Sequence, residues 1–257
     1  MTTATLAESA SNTHELPSNR VLAVLRLHFV NINTTIAVPW MIMGFIFVAN
    51  VAIWAIILGA AAPEDRADVR DGLQYSGATT YFFVYIMVLA VQAISVTFPF
   101  ALGYGVTRRD YYLGTALVFV ALSAMFSIGL TLLSIIEEAT GGWGLGGRLF
   151  TAVYYGDNWL ERLFAYFAAF LFFFFVGMSA ASIWVRWRAN GLVAYFVALA
   201  VILIGGAALF TFTGTWHLVG NFFGTAGLMG SFAWSLVITA IAAVGGFFVL
   251  RRATPKS

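Results

Sequence analysis

Stretches without charged side chains constrain this chain more than any other feature of its sequence. Residues 189–250 contain no Asp, Glu, Lys or Arg, and the stretches 37–61, 79–102, 113–136 and 163–184 are equally free of charge. A charged side chain at the centre of a bilayer costs about 2.5–3.5 kcal/mol on insertion scales, and a helical crossing needs roughly 20 mainly apolar residues. These stretches therefore predict an integral membrane protein.

Composition excludes the other broad classes. The chain is 61% hydrophobic and 9% charged, whereas a soluble domain has about 25% charged residues. Its net charge of +2 provides no basic surface for nucleic acid. With no Cys and three His, the sequence excludes disulfides, Cys-ligated zinc and a thiol nucleophile, and it argues against a metal site built from histidines.

The charge-free stretches predict six transmembrane helices in a single domain that covers residues 1–257. Residues 189–250 are too long for one crossing, and glycines divide them into two spans with an uncharged connection. The predicted spans are 37–61, 79–102, 113–136, 163–184, 191–212 and 232–250. Because these segments do not alternate polar and apolar residues, they indicate helices rather than barrel strands. The predicted fold class is all-α.

The distribution of basic residues predicts the orientation. Nine of the 13 Lys and Arg residues fall on one side of the six spans. They are Arg20, Arg26, Arg108, Arg109, Arg186, Arg188, Arg251, Arg252 and Lys256. Since cytoplasmic loops carry the excess of Lys and Arg, both termini are predicted to be cytoplasmic. The expected location is the inner (plasma) membrane of a bacterium.

The segment before the first span is predicted to lie on the membrane rather than in it. Residues 1–19 are expected to form a flexible cytoplasmic tail, and residues 20–36 an amphipathic helix in the interface, with its apolar side in lipid and His28 on its polar face. The apolar positions recur at helical spacing and are Val21, Leu25, Phe29, Ile32 and Ile36. Alternatively, this segment lengthens the first span.

The sequence offers little catalytic chemistry, so the chain is not expected to be an enzyme. It has no Gly-rich phosphate loop followed by Lys and Ser or Thr. A proton-driven transporter usually needs an ionisable group within the membrane, and the nearest candidates are Glu137 and Glu138 at the outer end of the third span. We expect these two carboxylates to lie among solvated headgroups.

Uncharged polar residues form stripes on two of the predicted spans. In the second span the stripe includes Tyr85, Gln92 and Ser95, and in the third span it includes Ser123, Ser127, Thr131 and Ser134. Such stripes usually mark close contacts between helices, with the hydroxyl groups hydrogen-bonded across the interface. The alternative is that they line a substrate pathway.

The connection between the second and third spans carries the densest motif. Its sequence is GYGVTRRDYYLG over residues 103–114, with the spacing Gly105-x-x-Arg108-x-x-Tyr111-x-x-Gly114. Gly105 permits a sharp exit, Thr107 can cap a helical turn, and Arg108, Arg109 and Asp110 present mixed charge. This spacing resembles the corresponding connection in permeases of "type 2" ABC exporters, where it forms a coupling helix that docks on a separate ATPase.

The resemblance extends to the architecture of that family. An interfacial helix before the first span, six spans with both termini inside, and a hydrophobic last outer loop that re-enters the membrane all have counterparts here. The resemblance implies that residues 105 and 107–111 contact ABC ATPase subunits and that a second permease copy or a paralogue completes the transporter. It also implies that ATP and Mg bind to the partner, with no cofactor in this chain.

Two other functions remain open from the sequence. One is a passive channel or facilitator that conducts alone, and the other is a membrane scaffold without transport activity. The uncharged interior suits an amphiphilic substrate better than a small, highly charged ion. The expected partners are therefore the lipid bilayer, an ABC ATPase and a second permease, and no nucleic acid.

Overall fold

The computed structural model describes residues 20–30 and 32–253, so the predicted tail 1–19 lies outside the described residues. The described residues contain helices and no strand. The α-helices are α1 (Arg20–His28), α2 (Val38–Ala60), α3 (Arg66–Gly72), α4 (Ala78–Gly103), α5 (Arg108–Ala139), α6 (Trp159–Thr213) and α7 (Trp216–Arg251). Short helical turns at 33–37, 142–146 and 153–155 complete the pattern. The all-α prediction is confirmed.

Five of the helices in the described chain are long and apolar enough to cross a membrane, namely Asn33–Ala60, α4, α5, α6 and α7. They make the chain an integral membrane protein. Apart from residue 61 the predicted spans lie within these helices, but five such helices replace six spans because 163–184 and 191–212 both lie in α6. Arg186 and Arg188, which separate these two spans in the sequence, lie within α6 rather than at its ends. Elsewhere, charge placement located α4, α5 and the end of α2 to within a few residues.

The two longest stretches of apolar helix are each interrupted by one residue with non-helical backbone angles. A straight helix of 55 residues, the length of α6, would extend about 80 Å, whereas the hydrocarbon core is about 30 Å thick. Arg188, with φ 57° and ψ −146°, divides α6 into a first arm (159–187) and a second arm (189–213). Gly227, with φ 64° and ψ −173°, divides α7 into residues 216–226 and 228–251.

The core lies between α4, α5 and the first arm of α6. Phe82 of α4 packs edge-on against Phe126 of α5 and Phe170 of the first arm, with ring centroids 5.5 Å apart in both pairs. Phe119 stacks on Phe174 at 4.6 Å. Such pairs contribute about 0.5–1.5 kcal/mol each beyond the area they bury. Phe170 and Phe174 of the Phe-rich first arm therefore form an aromatic interface with α4 and α5.

The amphipathic segment before α2 differs from its prediction. Helix α1 ends at His28 rather than at residue 36, and residues 33–37 continue directly into α2. The face of α1 that carries Val24 and His28 packs against α5, where a Cβ placed on Gly114 would lie 2.7 Å from Val24 Cβ. The prediction that His28 lies on an exposed polar face is wrong. The glycine at position 114 lets the two helices approach closely.

Candidate functional site at the two ends of α5

The turn between α4 and α5 has the capped geometry that its sequence predicts. Helix α4 ends at Gly103, and Gly105 follows with φ +76°, a left-handed angle that favours glycine. The Val106 amide donates to Ala101 O at 3.1 Å, and this bond closes the end of α4. Thr107 Oγ1 accepts from the Asp110 amide at 3.1 Å and caps α5. Helix α5 then continues unbroken, without a separate short coupling helix.

The charged residues of this turn have different surroundings. Arg109 is exposed, while Arg108 and Asp110 are half-buried. The Arg108 guanidinium donates through Nη1 to Arg251 O at 3.3 Å, at the last residue of α7. Arg109 is thus available to a partner, and Arg108 connects the start of α5 to the end of α7.

The two tyrosines at the start of α5 are buried and hold neighbouring helices. Tyr111 Oη lies 2.6 Å from Thr97 Oγ1 of α4, and the Tyr112 hydroxyl donates to Ala243 O of α7. Tyr111 therefore does not face a partner protein in this structure. It packs beneath the exposed residues of the turn and contacts α4.

The polar stripe of α5 is buried, and its hydroxyl groups are satisfied within the helix. Ser123 donates to Phe119 O at 2.7 Å, and Thr131 donates to Ser127 O at 2.7 Å. Ser127 and Ser134 likewise donate to carbonyls three residues earlier. These bonds differ from the expected hydrogen bonds between helices. In this arrangement the stripe is a packing face.

The polar stripe of α4 faces outwards. Gln92 is exposed on an apolar helix, and Tyr85 and Ser95 are half-buried. An amide exposed to hydrocarbon has no partner for its hydrogen bonds, so a polar residue in a span usually faces protein or a water-filled cavity. The stripe of α4 is therefore the better candidate for a pathway or subunit surface than the stripe of α5.

At the other end of α5, Glu137 is fully buried and binds the backbone of the following loop. Its carboxylate accepts hydrogen bonds from the amides of Leu149, Phe150 and Thr151 at 2.8–3.2 Å. The Thr151 hydroxyl and the Trp143 indole also donate to it, at 2.6 and 2.8 Å. The prediction that Glu137 lies among solvated headgroups is wrong. We call this group the Glu137 site.

The Glu137 site holds the loop 140–158 over the ends of several helices. The Arg148 amide donates to Leu73 O at 3.1 Å, and Thr79 Oγ1 of α4 donates to Leu149 O at 2.9 Å. The Tyr166 hydroxyl of the first arm donates to Phe150 O. Within the loop, burial raises the pKa of the Tyr155 phenol above its ordinary value. Both oxygens of Glu137 accept several donors, so acting as a general base would require the loop to open.

Glu138 has a different environment from its neighbour. It is half exposed, as expected of a solvated carboxylate, and it forms an ion pair with Arg162, which is 3% exposed. Arg162 also donates to Gly156 O and Asp157 O, both at 3.1 Å, whereas its Nη1 has no partner among the described residues. Beside the pair, Gln74, Glu138 and Arg148 line a cavity of about 270 Å³.

One sequence signal could have indicated the burial of Glu137. The buried positions 123, 127, 131 and 134 continue at helical spacing to residue 137, and a Gly-rich stretch follows in residues 141–147. Periodicity therefore places Glu137 on the same face of α5 as the polar stripe, which the structure shows to be buried. Which donors meet it could not be inferred, because they come from a loop without a regular pattern.

No protein-family model matches this chain, and no curated protein or solved structure matches it. The resemblance to ABC exporter permeases therefore comes from the sequence alone and stays a prediction.

Proposed function

We propose that this chain is the membrane-spanning permease subunit of an ATP-driven exporter of the ABC type. In this proposal a separate ATPase binds ATP and Mg and docks on the α4–α5 turn, and a second copy or a paralogue of the chain completes the pathway. The exported substrate is amphiphilic. The chain itself carries no catalytic step.

One observation carries the proposal: the start of α5 is bonded to the helices around it. Arg108 donates a hydrogen bond to the backbone at the end of α7, and the Tyr112 hydroxyl donates to Ala243 O of α7. The Tyr111 hydroxyl forms a hydrogen bond with Thr97 of α4. A force applied to the exposed Arg109 would reach all of these helices at once. Transport needs an element with two states and an energy source that favours one of them.

Helix α5 also connects the turn to the opposite end of the bundle. Its 32 residues form one continuous helix that extends about 48 Å. The Glu137 site lies at its far end and holds the loop 140–158. Movement of the turn as a rigid unit with α5 would therefore displace this loop, which suits a gate on the far side of the membrane.

In this proposal the chain crosses the membrane six times with both termini on the cytoplasmic side, and the broken helices support that number of crossings. The interruption at Arg188 divides α6 into two arms, each long enough to cross the bilayer, and the interruption at Gly227 leaves residues 228–251 as the last crossing. Residues 216–226 then form the short re-entrant element, and α1 lies in the interface. The charge pattern predicts the same orientation.

The outer surface of the described chain supports a second permease subunit. The exposed Gln92 of α4 needs a polar neighbour in the membrane. A second subunit facing α4 would place the stripe with Tyr85, Gln92 and Ser95 at the interface or along a pathway. A lining of phenol, amide and hydroxyl groups without charge suits amphiphilic molecules.

The decisive experiment is a charge reversal at Arg109. We expect the affinity-tagged wild-type chain, purified from its native membrane, to retain an ATPase with Walker A and B motifs and to support ATP hydrolysis in liposomes. Arg109→Glu should weaken retention of the ATPase about tenfold or more, because like charges would meet at the interface. Insertion and folding should persist, since Arg109 makes no buried contact.

The matched control is Arg66→Glu. Arg66 is an exposed arginine of α3, on the opposite side of the membrane in the proposed topology. This variant should retain the ATPase fully. Equal retention by Arg109→Glu and wild type would contradict docking at the turn. Solute flux through liposomes that contain the purified chain alone, without ATP, would instead support a passive channel.

A further inference from the structure

A cavity of about 590 Å³ lies at the bend of α6, between its two arms. The first arm contributes Ile183 and Arg186, the second arm contributes Asn190, Ala194 and Tyr195, and Arg188 lies at the bend itself. Gly191 of the second arm lies close to the first arm, since a Cβ added there would lie 2.5 Å from Trp187 Cβ and 3.1 Å from Ile183 Cγ2. The cavity therefore belongs to the bend between the two arms.

The polar groups of this cavity suit an anionic oxygen ligand. Its lining residues include Arg186, Arg188, Asn190 and Tyr195, whose side chains carry groups that can donate hydrogen bonds to an anion. The Arg186 Cζ atom lies 4.2 Å from the centroid of the Trp187 ring, so a cation–π contact orients its guanidinium. No carboxylate among the described residues forms an ion pair with Arg186. Guanidinium groups bind phosphate through paired hydrogen bonds.

The surroundings of the cavity suit a lipid. The second arm, which leads away from the bend, exposes Val193, Phe196 and Val197 and carries no charge after Arg188. Trp187 is half exposed at the mouth of the cavity, where tryptophan typically marks the headgroup level of a membrane. A ligand here would therefore meet positive charge at one end and a continuous apolar helix at the other.

We propose that this cavity binds the phosphate group of an anionic phospholipid, with the acyl chains along the second arm. Basic pockets between membrane helices on the cytoplasmic side bind such headgroups. The inference requires only that the bend lies at a membrane surface. It is independent of ATPase docking, so its test can fail while the proposed transport function stands, and the reverse is equally possible.

Native mass spectrometry of the full-length protein in detergent tests this site. The protein is titrated with dioleoylphosphatidylglycerol, which is anionic, and with dioleoylphosphatidylcholine, which is zwitterionic. We expect wild type to retain the anionic lipid preferentially. Arg186→Gln should weaken this retention about fivefold, the typical contribution of one basic side chain near an anionic membrane. Arg252→Gln removes an exposed arginine at the end of α7 and should leave retention unchanged.

A second pair of variants tests the cavity without changing charge. Ala194→Trp places a large side chain in the cavity from an exposed position and should reduce retention, whereas Ala121→Trp adds the same bulk at an exposed position of α5, outside the cavity lining and the second arm, and should not. Equal retention of the two lipids by wild type, or equal retention by Arg186→Gln and Arg252→Gln, would overturn the inference. Displacement of the lipid by millimolar inorganic phosphate would overturn it too, because the site would then recognise a soluble anion.

Discussion

At the scale of single residues, Glu137 is the group whose removal should disturb the structure most. In Glu137→Gln, an amide NH₂ replaces one carboxylate oxygen and faces the backbone N–H donors of residues 149–151. Charged hydrogen bonds are lost and buried donors are left without acceptors, so we expect the free energy of unfolding to fall by about 3 kcal/mol. Thermal unfolding of the purified protein in detergent measures this change.

Glu64→Gln is the control for this substitution. Glu64 is an exposed carboxylate before α3, and its change to Gln should leave the melting temperature unchanged. If Glu137→Gln melts at the same temperature as Glu64→Gln, the hydrogen bonds of the Glu137 site do not stabilise the folded protein.

His28 should make the stability of the protein depend on pH. Burial between α1 and α5 lowers the pKa of its imidazole from 6.5 to about 4. Between pH 6.5 and 4 the unfolded chain therefore binds a proton that the folded chain does not, so stability falls as the pH is lowered through this window. The full loss is about 3 kcal/mol. Melting temperatures at pH 7 and pH 4.5 measure it.

Two histidine variants separate this effect from general acid destabilisation. His28→Gln keeps a group that can hydrogen-bond Thr115, the present partner of His28 at 3.0 Å, and should melt with a smaller difference between the two pH values. His217→Gln removes an exposed imidazole and should retain the wild-type difference. An undiminished pH difference in His28→Gln would assign the effect to other groups.

At the scale of secondary-structure elements, Gly105 determines how α4 leads into α5. Its φ of +76° is costly for a residue with a Cβ, although a Cβ at this position would meet no atom within 4 Å. Gly105→Val should therefore reduce stability by about 1–2 kcal/mol or more through backbone strain alone. Thermal unfolding in detergent, compared with wild type, measures the loss.

Gly103→Ala is the matched variant within the same turn. Gly103 is the last residue of α4, and a Cβ there also meets no atom within 4 Å. Since alanine favours a helix, this change should leave stability equal or slightly higher. A loss in Gly103→Ala as large as that in Gly105→Val would mean that contacts, rather than backbone angle, account for the effect.

Helix boundaries could be predicted from the sequence where charged residues set them, and less well where packing against another helix set them. Charged residues near the ends of the predicted spans located α4, α5 and the end of α2 to within a few residues. The end of α1 at His28 was missed, because hydrophobic periodicity continues through residue 36 while tertiary contact with α5 involves Val24 and His28. Helical pattern indicates which residues share a face, but not which face a neighbouring helix covers.

At the scale of the whole molecule, the topology can be tested with single cysteines, since the chain has none of its own. In the proposed topology, Arg109→Cys and Ala189→Cys lie on the cytoplasmic side, and Glu64→Cys and Asp157→Cys on the opposite side. All four positions are exposed. We expect a membrane-impermeant maleimide to label the second pair in intact cells and the first pair only in inside-out vesicles.

The position of Ala189 is the critical one in this experiment. If Ala189→Cys were labelled on the same side as Glu64→Cys, the two arms of α6 would not form a hairpin across the membrane. The six-span topology would then be wrong. If Arg109→Cys were labelled from outside, the α4–α5 turn could not dock on a cytoplasmic ATPase.

The candidate site was predictable in part. The motif at 105–111 located the turn, its Thr107 cap and the exposed Arg109 correctly. The burial of Tyr111 was missed because the bond to Thr97 pairs residues on different helices, and the polar groups of the α5 stripe turned out to bond their own helix. The pattern of one span does not show which residue of another helix it will contact, as in the pair Tyr111 and Thr97. The docking role of the turn stays a prediction.

The Glu137 site also has a consequence for how the protein is made. The ribosome adds residues in order, so the carboxylate of Glu137 emerges 12 residues before the first backbone amide that binds it. Until residues 149–151 have been synthesised, the carboxylate lacks most of the donors that bind it in the folded protein. We therefore expect α5 to reach its final position only after the loop that follows it has been synthesised.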